Sequence, residues 1–210
     1  LVGDYNVSNC LAAVSAAVNV LGVSPAAAQN GITALTGVPG RMERINAGQP
    51  FMAVVDFAHT PNSLQRVLAS AKKLTSGRVI AVFGSAGLRD VEKRTLMGEI
   101  AAELADISIV TAEDPRTDSL QGILEEMSIA MRKKGAIEGL TFELVPDRGR
   151  AIYRAVQLAK PGDIVLALGK GHEQSMCFGQ IEYPWDDRTA LLSALRGAPL
   201  LTLPTAQQLT

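Results

Sequence analysis

The chain has 210 residues, with 20 Lys and Arg against 21 Asp and Glu and a formal net charge of −1. That balance argues against a broad basic surface for nucleic acid, and two cysteines, Cys10 and Cys177, supply neither metal-ligand spacing nor a disulfide framework. Leu11–Val23 is apolar but too short to span a bilayer and no secretory leader opens the chain, so the expectation is a cytoplasmic protein without nucleic-acid or membrane partners.

Residues 1–40 read as helical. Leu1–Asn9 leads into an Ala/Val/Leu helix ending near Gly22, and Ser24-Pro25 caps a second helix that runs to about Leu35. No strand precedes them, and the first residue is not Met, which suits the tail of a domain whose body lies elsewhere. Thr36-Gly37-Val38-Pro39-Gly40-Arg41 is rich in turn formers and reads as a linker and hinge. From Arg41 onward strands and helices alternate. The strands are expected at Met42–Ile45, Met52–Phe57, Val79–Phe83, Ile107–Thr111, Phe142–Val145 and Ile164–Leu168. The helices are expected at Pro61–Leu74, Lys93–Leu104, Leu120–Lys134, Arg148–Leu158 (capped by Asp147) and Asp187–Leu195. This alternation predicts an α/β fold, with a mostly parallel sheet covered by helices on both faces. The tail Gly197–Thr210 lacks periodicity and is expected to be frayed or loosely docked.

The ionisable residues gather where these strands end. Asp56 and His59 follow the second strand, just before the Thr60-Pro61 helix start. Gly84–Gly87 and then Arg89, Lys93 and Arg94 follow the third, Glu113-Asp114-Pro115-Arg116 the fourth, and Gly169-Lys170-Gly171-His172-Glu173 the last. Any one such cluster is ordinarily a solvated cap, and neither glycine-rich piece has P-loop or GxGxxG spacing. Four on one sheet edge predict a ligand site, because the carboxyl ends of parallel strands form the crevice of open α/β sheets. The mixed charges suit a zwitterion, with Arg116 for a carboxylate and Glu113, Asp114 or Glu173 for an ammonium. Two histidines far apart in sequence make no zinc site.

Asp4-Tyr5-Asn6-Val7-Ser8-Asn9, Gly40-Arg41-Met42-Glu43, Val55-Asp56-Phe57-Ala58-His59-Thr60-Pro61 and Gly169–Glu173 occur in that order. Together they resemble the C-terminal half of the Mur ligases, most closely the MurE-like UDP-N-acetylmuramoyl-tripeptide synthases, from about Asp4 to Leu195. The resemblance implies an ATP-dependent acid–amino-acid ligase of peptidoglycan precursor synthesis. In that chemistry ATP phosphorylates the carboxylate of a UDP-N-acetylmuramoyl-dipeptide, and the amine of a free amino acid attacks the acyl phosphate. It further implies a Rossmann-like ligase domain over residues 41–196 and a tail at 197–210, preceded at 1–40 by the last helices and linker of a central ATPase domain. Mg²⁺ would be held mainly by that central domain, leaving no catalytic side chain and no metal ligand in this chain, which would act as a monomer.

Carried over by motif, Asn6 and Asn9 lie near the adenine, Arg41, Asp56 and His59 line the ribose and phosphate side, and Lys93 or Arg94 reaches the phosphates. Arg89, Glu113, Asp114, Arg116, Gly169 and Glu173 form the amino-acid site. Relatives that add meso-diaminopimelate usually carry Asp-Asn-Pro-Arg where this chain has Glu113-Asp114-Pro115-Arg116, and an acid is usual at Leu88; Val91-Glu92-Lys93 replaces a Gly-Lys pairing. These departures leave the added amino acid open. With no P-loop in the sequence, the chain alone is expected not to turn over ATP. The alternatives are a sister ligase of cyanophycin or folylpolyglutamate synthase type and a non-catalytic amino-acid- or nucleotide-binding module.

Overall fold

A computed structural model describes residues 5–207; residues 1–4 and 208–210, including the Asp4 of the first motif, lie outside the described residues. Two helices come first, α1 (Tyr5–Asn19) and α2 (Pro25–Ala34), the latter capped by the Ser24 hydroxyl, which accepts the Ala27 N–H. The strands that follow are β1 (Glu43–Arg44), β2 (Met52–Asp56), β3 (Val79–Phe83), β4 (Ile107–Val110), β5 (Phe142–Leu144) and β6 (Ile164–Leu168). They form one sheet in the order β1-β2-β6-β3-β4-β5, parallel throughout except for β1. Helices α3 (Pro61–Leu74), α4 (Val91–Leu104), α5 (Leu120–Lys133), α6 (Arg148–Leu158) and α7 (Asp187–Leu195) complete the unit.

The strands are near-continuous apolar runs because both faces are covered. Successive residues alternate between two cores. Val54, Ala81, Phe83, Leu166 and Leu168 pack with Leu64, Leu68, Met97, Leu124 and Met127 of α3, α4 and α5. Val55, Ile80, Val82, Val165 and Ala167 pack with Ile152, Ala155, Leu191 and Ala194 of α6 and α7. Placing β6 between β2 and β3 makes the connections diverge there, since α3 and α4 cover one face and α6 and α7 the other. The resulting crevice opens at the carboxyl ends of β2, β6, β3 and β4.

Three differences from the sequence reading follow from tertiary contacts. A hairpin of β7 (Ser175–Phe178) and β8 (Ile181–Pro184) stands outside the main sheet, joined by Gly179 in the left-handed region at φ +63°. It docks on the Arg116 loop, where the Arg116 N–H donates to the Cys177 carbonyl (3.1 Å) and the Gly179 N–H to the Arg116 carbonyl (2.7 Å). The tail is packed rather than frayed: Leu203 and Thr205 are buried, and the Thr205 hydroxyl donates to Asp147 Oδ2 at 2.8 Å. A Cβ on Gly149 would overlap the Leu200 carbonyl oxygen, so the tail lies directly on the start of α6.

The third concerns the linker. Gly40 donates its N–H to Glu43 Oε2 (2.7 Å), Arg41 to the Val38 carbonyl (3.0 Å) and Met42 to Asp56 Oδ2 (2.8 Å). Gly40 has φ +66°, and a Cβ there would overlap the His172 backbone nitrogen. The linker's end is thus locked to the loop after β6, which confines any hinge to residues before Gly40. Gly40→Ala is expected to cost about 2 kcal/mol, combining a left-handed non-glycine backbone with overpacking. Urea unfolding of the variant checks this; an unchanged midpoint would remove the lock.

Candidate functional site

Two cavities flank the end of β2, the smaller built by the four strand ends and the larger by α1, α2, the linker and the start of α3. The smaller, of about 350 Å³, is walled by His59, Arg89, Lys93, Glu113, Asp114, Arg116, Gly169 and Glu173, so every residue expected to contact an amino acid lies on it. The larger, of about 570 Å³, is lined by Asn6, Asn9, Arg41 and Asp56, four of the nucleotide candidates, together with Arg66. Phe57 lies at their boundary. The Arg41 guanidinium sits 4.6 Å from its ring centroid on the linker side, while His59 and His172 pack on the ring at 4.5 and 5.1 Å.

Asp56 ends β2 with both oxygens engaged, Oδ2 by the Met42 N–H and Oδ1 by the Ala58 N–H, each at 2.8 Å. Burial pushes its carboxyl up and these two amides pull it down, so Asp56 ties linker to strand while facing the larger cavity. His59 Nδ1 lies 2.9 Å from the Phe57 carbonyl, to which it donates; Nε2 then carries no proton in the neutral ring. His59 faces the smaller cavity together with Lys93, apart from the four nucleotide candidates of the larger one. Asn9 donates to Asn6 Oδ1 at 3.2 Å.

Arg94 corrects an expectation. Only 4 % exposed, it gives Nη2 to Asp118 (2.6 Å) and Nη1 to Glu126 (2.9 Å), and it lines neither cavity. Helix α4 turns about 100° per residue, so Lys93 facing the cleft carries Arg94 round toward α5. Of this pair Lys93 alone remains a cation of the site.

The smaller cavity is held by strained backbone. Leu88, Asp114 and Arg116 have φ of +54°, +42° and +52°, a region that non-glycine residues occupy at a cost repaid by surrounding contacts. The Gly87 N–H donates to the Asp114 carbonyl (2.9 Å), and Arg116 Nη1 to the Gly87 carbonyl (3.3 Å). A Cβ at Gly87 would overlap the Pro115 carbonyl oxygen, so the two loops need glycine to meet.

Lys170, 2 % exposed, binds both oxygens of Asp114 at 2.9 Å and Glu173 Oε2 at 2.6 Å. Asp114 also accepts the Cys177 N–H (2.9 Å), so it is committed to structure, whereas Glu173 keeps 40 % of its side chain exposed. Arg89 and Lys93 make no ion pair among the described residues, and with Arg116 they leave three cationic heads on the cleft for a carboxylate or phosphate.

Glu113 is the exception among the carboxylates. It is buried, and its Oε2 has no hydrogen-bond partner among the described residues. Gly169, at φ +112°, makes room for it, since a Cβ there would lie 3.2 Å from that oxygen. Burial pushes the carboxyl up to about 7 from its ordinary 4.5, against the pull of Lys93 on α4, Arg148 on α6 and Lys170 after β6; the neighbouring Asp114 adds to the rise. Because the folded chain holds this proton more tightly than the unfolded one, Glu113 costs stability as pH rises from 4.5 through about 7. Glu113→Gln is expected to be more stable than the parent at pH 8 by up to about 3 kcal/mol and to differ little at pH 4. Urea unfolding at both pH values reads the difference; an equal gap at both would refute the linkage.

Two residues of this site were not singled out from the sequence. Lys170 lies within the Gly169–Glu173 motif, and its place between two glycines is its only signal. Arg148 shares a helical face with Ala151, Ile152 and Ala155, a spacing that marks it as inward-facing.

The family model described as "Mur ligase, glutamate ligase domain" matches residues 40–171. A UDP-N-acetylmuramyl-tripeptide synthetase of Roseiflexus sp. strain RS-1 is 47% identical over 195 residues, covering 93% of this chain and 38% of the relative. The UDP-N-acetylmuramoyl-L-alanyl-D-glutamate–2,6-diaminopimelate ligase of Streptomyces coelicolor is 41% identical over 196 residues, with the same coverage of 93% and 38%. A solved structure of a ligase of that name superposes with a TM-score of 0.69 at 35% identity, over 93% of this chain and 39% of that one. A Mycobacterium tuberculosis folylpolyglutamate synthase, complexed with ADP and AMPPCP, shares the fold at a TM-score of 0.65 and 17% identity, over 95% of this chain and 42% of that one. The chain thus spans 38% of the length of the first curated relatives it matches. With this sheet, its crevice and these relatives in hand, the chain belongs to the Mur ligase family and carries that family's glutamate ligase domain over residues 40–171.

Proposed function

We propose that this chain is the C-terminal part of a longer, ATP-dependent MurE-like ligase that adds a free amino acid to UDP-N-acetylmuramoyl-dipeptide in the cytoplasm. The observation that carries this reading is the smaller cleft, where Arg89, Lys93 and Arg116 face Glu113 and Glu173 across about 350 Å³. That volume and charge pattern suit one amino acid, with meso-diaminopimelate the leading candidate. The larger cavity, with Arg41 and Asn6 and Asn9, is assigned to the nucleotide. Residues 1–40 are read as the last helices and linker of a central ATPase domain, and the exposed Val7, Leu11, Val20 and Leu21 as apolar surface that its body would cover. The P-loop would lie in that domain, and the assembled enzyme would act as a monomer.

Among the described residues no three His, Cys, Asp or Glu side chains gather to hold a metal, so these residues do not fit Mg²⁺ and it is assigned to the rest of the ligase. The reaction needs positioning more than a strong base. The dipeptide carboxylate takes the γ-phosphoryl group as the bond from that phosphorus to the β–γ bridging oxygen breaks and ADP leaves; the amino acid's nitrogen then forms the new C–N bond, and the C–O bond to phosphate breaks. Phosphate leaves with the proton lost from the nitrogen. Cationic heads at the cleft orient the substrate carboxylate and so aim its amine.

Calorimetric titration of the full-length ligase, with ATP, against meso-diaminopimelate, lysine and other amino acids tests this. Saturable binding of diaminopimelate is the expected result. Binding of lysine alone would overturn the diaminopimelate assignment, and binding of no amino acid would overturn the ligase reading. The 210-residue chain alone is expected to show no ATP turnover, and a measurable rate would overturn its reading as a fragment.

A further inference from the structure

Beneath the smaller cleft lies a fully buried guanidinium. Arg148 opens α6 and has no solvent exposure, and all of its partners are fixed groups. Nε and Nη2 grip Asp187 at 2.7 and 2.6 Å, a bidentate pair from the start of α7, and Trp185 Nε1 donates to the same carboxylate at 2.8 Å. The outer edge of the fork points upward: Nη1 donates to the Ala112 carbonyl at 3.1 Å and Nη2 to the Leu168 carbonyl at 2.7 Å. Those carbonyls belong to the residues just before Glu113 and Gly169. Strands β4 and β6 are not neighbours, since β3 runs between them, so the sheet's own ladder makes no bond from one end to the other. Arg148 makes that link.

We propose that Arg148 is a positioning residue of the amino-acid cleft, fixing the spacing of the Glu113 and Gly169 loops through the Ala112 and Leu168 carbonyls. The proposal deepens the ligase reading and rests on it for the identity of the ligand. Glu113 packs on Gly169 with no side chain between them, so a change in the distance between the two loops alters the cleft floor directly. Only a planar fork with several donors reaches two carbonyls and a carboxylate at once; a lysine ammonium on Asp187 cannot also span both. Such a buried pair contributes little net stability against an apolar replacement, which fits a role in fixing geometry.

Two variants separate positioning from support of the fold. Arg148→Lys keeps the charge and the Asp187 pair. In the full-length ligase it is expected to raise the KM for the amino acid about tenfold while leaving the KM for ATP within about twofold, since a misplacement at the site acts on the ligand it positions. Arg148→Met with Asp187→Asn removes both charges while asparagine still accepts from Trp185. Carbon-13 NMR of the Glu113 carboxyl in this chain is expected to show its titration midpoint displaced upward by about half a unit or more in the double variant and little moved in Arg148→Lys. Lys93, Lys170 and Asp114 also face Glu113 and are the same in all samples. A folded Arg148→Lys with parent KM values would overturn the proposal, and so would a Glu113 midpoint unmoved in the double variant. A parent ligase without turnover would defeat the ligase reading instead; on the chain itself, backbone NMR shifts of Glu113 and Gly169 unmoved in Arg148→Lys would then overturn the Arg148 assignment.

Discussion

Replacing Arg116 by alanine is expected to weaken amino-acid binding at the smaller cleft by about 2–5 kcal/mol, at least thirtyfold in Kd. Arg116 is half-buried at φ +52°, a conformation that alanine adopts with strain and that the chain holds from both sides. Its N–H donates to Cys177 and its carbonyl accepts from Gly179 of the β7–β8 hairpin, so the backbone keeps its course when the side chain is cut. The side chain makes one long bond, 3.3 Å to the Gly87 carbonyl, and keeps the rest of its fork for a ligand. A carboxylate bound there meets a planar, charge-assisted partner on a fixed loop, whereas the Arg89 guanidinium is exposed and Lys93 offers only a point charge. The comparison with Arg89→Ala sharpens the test, because Arg89 is exposed and its loss is expected to cost under about 1 kcal/mol. Calorimetry on the full-length ligase with both variants reads the contrast. Equal, small losses would take the carboxylate role away from Arg116.

The depth of what the chain reveals by itself varies with the range of the interaction. Strands β3 and β6, and helices α3, α6 and α7, follow the expected boundaries because apolar runs and the Thr60, Asp147 and Asp186 caps are local signals. The cleft was legible too, since four charged strand ends in a parallel sheet have one edge on which to meet. What local pattern does not carry is partnership across the fold. The hairpin carries no local signal, because Ser175–Phe178 and Ile181–Pro184 are short and are held by the Arg116 loop, dozens of residues away. Asp114 read as a free acid, yet Lys170 and the Cys177 N–H take it up from two other elements. Arg94 reads as a site cation because it stands with Arg89 and Lys93 at a helix start, and only the packing of α4 on α5 separates it from Lys93. The tail lacks periodicity, yet it is seated by Leu203 in the core, by the Thr205 hydroxyl on Asp147, and by the Leu200 carbonyl against Gly149.

Asp187→Ala is expected to be the most destabilising of these substitutions, at about 3–5 kcal/mol, because it leaves Arg148 buried without its counter-charge. The Coulombic partner is not all that goes. Asp187 Oδ1 also accepts the Trp185 indole N–H at 2.8 Å, and that donor, buried with 3 % exposure, is left unpaired as well. Against a typical total of about 5–15 kcal/mol for a single domain, such a loss takes a large share of the stability. The two carbonyls at Ala112 and Leu168 then become the only acceptors, among the described residues, for a guanidinium that cannot shed its proton, so the disturbance runs from α7 straight to the cleft floor. Removing the cation along with the anion, as in Arg148→Met with Asp187→Asn, is expected to restore more than half of what Asp187→Ala loses, since the dominant penalty is the uncompensated charge rather than the missing pair. Urea unfolding of the parent, the single and the double variant measures both differences. A single variant within about 1 kcal/mol of the parent would mean that water or another carboxylate reaches Arg148 and that its isolation is less complete than its burial implies.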